Sequence, residues 1–107
     1  MSNRLTIDRY VIDTLMRDLV AHDHRPSAFL IYLALLELAD AGRPTPSHAQ
    51  LADLCGLSKR AVQDALRHLA RRQLISVERR GRTEPAIVRP LAPWRDRRGS
   101  KPSGGLG

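Results

Sequence analysis

Residues His48 to Arg67 read HAQLADLCGLSKRAVQDALR, and the spacing inside this run decides how the chain folds. Ser47 precedes it as an N-cap, and Gln50, three residues on, completes a capping box. Leu51, Ala52 and Cys55 share one helical face, and Ala52 is small enough for a second helix to cross close above it. Gly56 stands where a left-handed residue is needed to turn the chain. Leu57 plugs the turn, and Ser58 is a second N-cap. Val62, Ala65, Leu66 and Leu69 then recur at spacings of three and four, the inner face of a second helix.

The outer face of that second helix carries different chemistry. At about 100° per residue, Arg60, Asp64, Arg67 and Arg71 point away from Val62 and Leu66, and Lys59 and Gln63 flank them near the helix start. Basic and amide groups at the N-terminal end of a second helix are what reading base edges requires. Arginine takes guanine bidentately and glutamine takes adenine. Ser58, Lys59, Arg60, Gln63 and Arg67 are therefore the candidate base readers. Ser47 opens the first helix, whose N-terminus attracts phosphate. Asp64 has two uses, as an acceptor from cytosine or, more simply, as a partner of Arg60 or His68 one turn away. Any amphipathic helix shows one polar face, but the Gly56 turn, the small Ala52 and two caps all agree with the DNA reading.

The residues that follow extend the pattern. Ile75 to Arg79 alternate and are rich in β-branched side chains, Arg80 to Thr83 form a turn around Gly81, and Ala86 to Arg89 make a second short strand closed by Pro90. A helix followed by a hairpin with an arginine-rich tip resembles a winged helix-turn-helix. The run LADLCGLSKRAVQDALRHLARRQLISVERRGR, about a third of the chain, carries that resemblance. Residues 26 to 91 resemble the domains of bacterial regulators of the GntR and MarR families and those of plasmid and phage replication proteins. The resemblance implies binding of double-stranded DNA by the second helix and the wing, with Arg79, Arg80 and Arg82 on the flanking backbone or in the minor groove.

Composition agrees. A chain of 107 residues suits one modest core, and its scarce aromatics leave that core to leucine, isoleucine, valine and alanine. The single cysteine, Cys55, excludes an internal disulfide and a cysteine-based metal site, and its inward position suits a small hydrophobe. No apolar run reaches membrane-spanning length and the N-terminus lacks a signal-peptide pattern, so a cytoplasmic location is expected. The net charge of +7 is unevenly placed. Residues 1–57 hold five arginines against seven acids, whereas residues 58–107 hold thirteen bases against four acids. Positive charge that begins at the second motif helix points to a nucleic acid.

Upstream, Ile7 to about His22 is expected to be a helix with two apolar stripes, Ile7, Val11, Leu15, Leu19 and Ile12, Met16, Val20. Together they are wider than one core face requires, so one stripe is assigned to the domain and the other to a homodimer through residues 7–22. His22, Asp23 and His24 match a metal-binding spacing only superficially, and a polar linker before Pro26 at a helix N1 position fits better. Ser27 to Ala41 is apolar nearly all round and predicts a central buried helix capped by Gly42. The link Arg43–Pro46 is a candidate third strand, confined by its prolines to a sheet edge. After Pro90 the composition turns to glycine, proline and base, which predicts a flexible basic tail over 92–107, with Trp94 able to dock back and Arg95, Arg97, Arg98 and Lys101 able to touch phosphate.

These expectations combine into one domain over 1–91, mainly α with a small two- or three-stranded β-wing. The expected function is sequence-specific binding of double-stranded DNA as a small repressor-type regulator. The alternatives are a plasmid or phage replication, partition or excision factor, and a winged helix that binds protein. A protein-docking face would expose aromatics and leucines, whereas residues 59–71 expose arginine. No paired acid, nucleophile motif, phosphate loop, cofactor motif or effector domain is evident, so no enzyme activity is expected.

Overall fold

The stripe Val11, Leu15, Leu19 repeats every fourth residue, and that spacing shapes the first element. In a computed structural model of the chain, which describes residues 3–79, 81 and 86–95, the stripe lies on an N-terminal helix wound in wide turns over Val11–Leu15 and Arg17–His22. Its hydrogen bonds reach back five residues, as from Met16 N–H to the Val11 carbonyl and from Asp23 N–H to the Asp18 carbonyl at 2.8 Å. This corrects the expected ordinary helix from Ile7, since helical winding begins only at residue 9. The physical reason is periodicity. At about 100° per residue, a spacing of four drifts by about 40° at each step. Wider turns take up that drift, and Val11, Leu15 and Leu19 all end buried. The second stripe divides: Val20 packs partly on the core, while Ile12 and Met16 stay 44% and 39% exposed.

His24 takes a left-handed conformation (φ 57°), and Pro26 then opens α1, Pro26–Asp40. Pro26 sits at the start of the helix, where its missing N–H costs no bond. Ala28, Phe29, Ile31, Tyr32 and Leu35 are buried, and the helix packs against the two motif helices, the second half of the N-terminal helix and the second strand of the hairpin. It ends in a Schellman motif: Gly42, at φ 70°, donates its N–H to the Ala39 carbonyl at 3.1 Å, and Arg43 donates to Leu38 at 2.8 Å. Helices α2, His48–Cys55, and α3, Lys59–Arg71, are joined through Gly56 at φ 68°. Their inner faces, Leu51 and Ala52 on α2 and Val62, Ala65, Leu66 and Leu69 on α3, join one core with α1 and the N-terminal helix. Cys55 is half-buried with its sulfur 4.0 Å from the Leu30 carbonyl, and burial pushes its thiol up, away from the reactive thiolate.

Strands β1, Ile75–Glu78, and β2, Ile87–Pro90, pair antiparallel with Ile75 opposite Pro90 and Val77 opposite Val88. The helices and this hairpin form a winged helix-turn-helix. Among the described residues the sheet has two strands, and the link after α1 contributes none. Thr45 takes the place of the expected third strand with one side chain. Its hydroxyl accepts from Val88 N–H at 2.9 Å and donates to the Val88 carbonyl at 3.2 Å. Val88 therefore turns its backbone groups away from β1. By the two-residue period Pro90 does the same, so its missing N–H breaks no ladder bond.

The domain also runs further than residue 91. Leu91 donates its N–H to the Leu74 carbonyl at 2.8 Å, and its own carbonyl accepts from the Tyr32 hydroxyl at 2.7 Å. Burial pushes the Tyr32 phenol up to about 12, so it stays a donor. Trp94 stacks on Tyr10 with ring centres 4.5 Å apart and donates to Asp8 at 2.7 Å. Of the segment expected as a tail, residues 92–95 thus belong to the domain, and 96–107, with Arg97, Arg98 and Lys101, lie outside the described residues.

Helix α3 ends in the same motif as α1, with Gln73 in place of glycine: Gln73 donates to Ala70 at 3.0 Å and Leu74 to Leu69 at 2.9 Å. Gln73 has φ 61°, a conformation in which a Cβ is strained by about 1–2 kcal/mol. Glycine removes the strain and adds back some unfolded-state entropy. Gln73→Gly is expected to stabilise the fold by about 0.5–1 kcal/mol, measured as a higher urea midpoint with an unchanged slope. A lower midpoint would contradict the left-handed assignment.

Candidate nucleic-acid interface

The two motif helices begin with caps that fix their axes. Ser47 Oγ accepts from Gln50 N–H at 3.1 Å, and the Gln50 side chain accepts from Ser47 N–H at 2.8 Å, closing the capping box read in the sequence. Ser47 is exposed, and the cap does not use its hydroxyl hydrogen. Ser58 Oγ accepts from Ala61 N–H at 3.0 Å, so this residue is a structural cap at the start of α3 as well as a candidate contact.

Beyond Ser58 the candidate readers line one side of α3. Lys59, Arg60, Gln63, Arg67 and Arg71 are all exposed, and Val62, Ala65, Leu66 and Leu69 fill the opposite side. Lys59, Arg60 and Arg71 have no side-chain partner among the described residues, which leaves their donors to solvent or ligand. Gln63 lies toward α2, with Nε2 3.4 Å from His48 Nδ1. Arg67 donates to Asp64 at 3.1 Å. That pair corrects the expectation that Asp64 would choose Arg60 or His68. A spacing of three is also one turn, and His68 is taken by Asp23 at 2.8 Å.

The hairpin adds Arg79, exposed just past β1, and Arg89, which reaches Glu78 across the strands at 3.6 Å. The candidate wing residues Arg80 and Arg82 lie outside the described residues.

The side-chain cluster that periodicity could not reveal is centred on Asp23. Its carboxylate is only 11% exposed and accepts from His68 Nε2 at 2.8 Å, from Arg72 Nε at 2.9 Å and from His22 Nδ1 at 2.9 Å. Arg72 also approaches Asp18 at 4.0 Å. The hydrogen bond from His22, reinforced by those from His68 and Arg72, holds the Asp23 carboxyl well below the usual carboxylate range, although burial pushes the other way. The only signal in the sequence is the HDH run, which suggests metal or linker. Among the described residues no group of three His, Cys, Asp or Glu side chains is placed to hold a metal ion.

With this geometry in place, residues 25–75 match a family model described as a helix-turn-helix domain. They span α1, α2 and α3 and stop at the first residue of β1, so the match covers the two motif helices and the helix before them. No curated protein and no solved structure matches the chain. Among the described residues no helix is long and apolar enough to cross a membrane.

The Asp23 cluster generates a pH prediction. A carboxyl with a depressed folded value stabilises the fold fully above the unfolded value, near about 3.9, and loses that contribution as pH falls below it. The stability gap between wild type and Asp23→Asn, measured by urea unfolding, should therefore be wide at pH 5 and narrow toward pH 2. A gap independent of pH would mean that the Asp23 bonds do not depend on its charge.

Proposed function

We propose that this chain binds specific double-stranded DNA sites as a homodimer and acts as a repressor-type transcriptional regulator. The role is one of binding, not catalysis. The observation that carries the reading is the exposed row Lys59, Arg60, Gln63, Arg67 and Arg71 on a capped helix whose other side is fully packed. An α-helix about 10–12 Å across fits a major groove about 12 Å wide. In that position Lys59, Arg60 and Gln63, from the first turns, meet base edges. Arg67 exchanges Asp64 for DNA, and Ser47 and the hairpin arginines Arg79, Arg80 and Arg82 hold backbone phosphates. A domain seated this way represses by occupying its site.

If the helix, the wing and the basic residues beside them make ~6 phosphate contacts, log K should fall with log salt at a slope near ~−5. Arg60→Ala or Gln63→Ala should relax preference at single base pairs by ~1–3 kcal/mol, and Arg79→Ala, Arg80→Ala or Arg82→Ala should weaken all sequences alike. Site selection on each variant checks this. Unchanged base preferences in both helix variants, or a flat salt titration, would remove the reading.

The second copy is supported by the N-terminal helix. Ile12 and Met16 point outward, with exposed Asp13 and Arg17 beside them. Two such helices crossing antiparallel about a two-fold axis bring Asp13 of one copy to Arg17 of the other, twice, around the apolar residues. Two recognition helices would then address a palindrome, each half-site gaining from the other through effective concentration. Ile12→Glu combined with Met16→Glu should give a folded monomer with weak DNA binding, as read by sedimentation. A wild-type protein monomeric at micromolar concentrations, with and without DNA, would rule the dimer out.

A further inference from the structure

The buried stripe Val62, Ala65, Leu66 and Leu69 fixes which face of α3 turns inward, but apolar contacts are less directional than hydrogen bonds and resist a roll of a few degrees about the helix axis less sharply. Roll matters for reading. At a helix radius of about 5–6 Å, a roll of about 10° moves side-chain tips by about 1 Å, and specific polar contacts tolerate roughly half of that. Directional contacts therefore set the fine adjustment of the roll. At about 100° per residue, His68 and Arg72 fall on one flank of α3, between the buried and outer faces, and Gln63 falls on the other. On the Gln63 flank the contact is the long 3.4 Å approach to His48. On the opposite flank Asp23 makes two short bonds, 2.8 Å to His68 and 2.9 Å to Arg72, with a further approach from Arg72 to its other oxygen at 3.4 Å. The carboxylate and the imidazole are only 11% and 14% exposed, so water competes weakly for these bonds. The other ring nitrogen of His68 is buried without a partner among the described residues, which leaves the Asp23 bond as the polar restraint on that ring.

We infer that Asp23 is a positioning residue for DNA reading: from the end of the N-terminal helix it grips His68 and Arg72 and sets the roll of α3, and with it the aim of Arg60, Gln63 and Arg67. The inference rests on the reading of α3 as the DNA reader. Asp23 touches no DNA, and its bonds draw Arg72 away from the phosphates. Its removal should therefore cost discrimination more than affinity.

The test is the ratio of affinities for the selected site and for a scrambled duplex of equal length, measured at one salt concentration. Unfolded protein cancels in this ratio, so loss of stability alone does not move it. Asp23→Asn should lower the ratio by about tenfold, without weakening binding to the scrambled duplex. His68→Leu removes the donor and should act in the same direction. His68→Gln, whose amide nitrogen can stand in for Nε2, should keep the ratio within about threefold of wild type. Ile31→Val, a mild core variant, should leave it unchanged. A wild-type ratio in folded Asp23→Asn and His68→Leu overturns the inference, and so does an equal fall in Ile31→Val. If Asp23→Asn does not fold, the two His68 variants decide by the same criterion. Failure of the underlying reading looks different: the wild-type protein itself would then show no discrimination, and the inference would fall with it.

Discussion

A helix that reads DNA must be held firmly by one side so that the other can stay wet and polar, and α3 meets this condition through Val62, Ala65, Leu66 and Leu69. All four are buried against a core built on α1, where Ala28, Phe29, Ile31, Tyr32 and Leu35 are buried in turn. Full burial of a side chain of this kind stabilises by about 1.5–3 kcal/mol, so this contact dominates the placement of α3. Other elements settle around it. Helix α2 buries Leu51 and the small Ala52 in the same core, the N-terminal helix buries Val11, Leu15 and Leu19 there through its wide turns, and the hairpin begins shortly after α3 ends.

Backbone chemistry at the helix ends then sets direction. Ser47 and Ser58 stop the chain from entering either motif helix in another register, since each satisfies an N–H that would otherwise lack a partner. Gly42, Gly56 and Gln73 each take the left-handed position that lets a helix close and the chain leave at a defined angle. Two of the three are glycine. The glutamine shows that the turn between α3 and β1 is imposed by the packing of Leu74 and Ile75, both buried, against local preference.

What is legible in the sequence is local. The capping box, the Gly56 turn, the inner faces of α2 and α3, and the proline start of α1 depend on residues within one or two turns of each other, and each stands where expected. Pairings without a period are not legible. Asp23 meets His68 and Arg72 across 45 and 49 residues, Thr45 meets Val88 across 43, and Asp8 meets Trp94 and Arg95 across 86 and 87. Nothing in the spacing of those residues links them. They are linked only once burial has brought the segments together, which is why the HDH run reads as a polar linker before Pro26 and composition places the end of the domain near residue 91.

Those long-range pairs give the charge asymmetry its structural meaning. The first half of the chain is acidic and the second basic, yet the halves are not electrically separate. Asp23 binds Arg72 and His68, and Asp8 accepts from Arg95 Nε and Nη2 at 2.6 and 2.8 Å. Each of these two acids from the first half engages a base from the second half that lies off the outer face of α3. Bases on that face are treated differently: Lys59, Arg60 and Arg71 have no acid partner among the described residues, and Arg67 has only the exposed Asp64. Paired charges at such short range contribute little to the field at a Debye length of about 8–10 Å, whereas unpaired ones add to it. The acids of the N-terminal segment therefore do more than fasten the fold. They pair positive charge that lies off the outer face of α3, while Lys59, Arg60 and Arg71 keep theirs without an acid partner among the described residues.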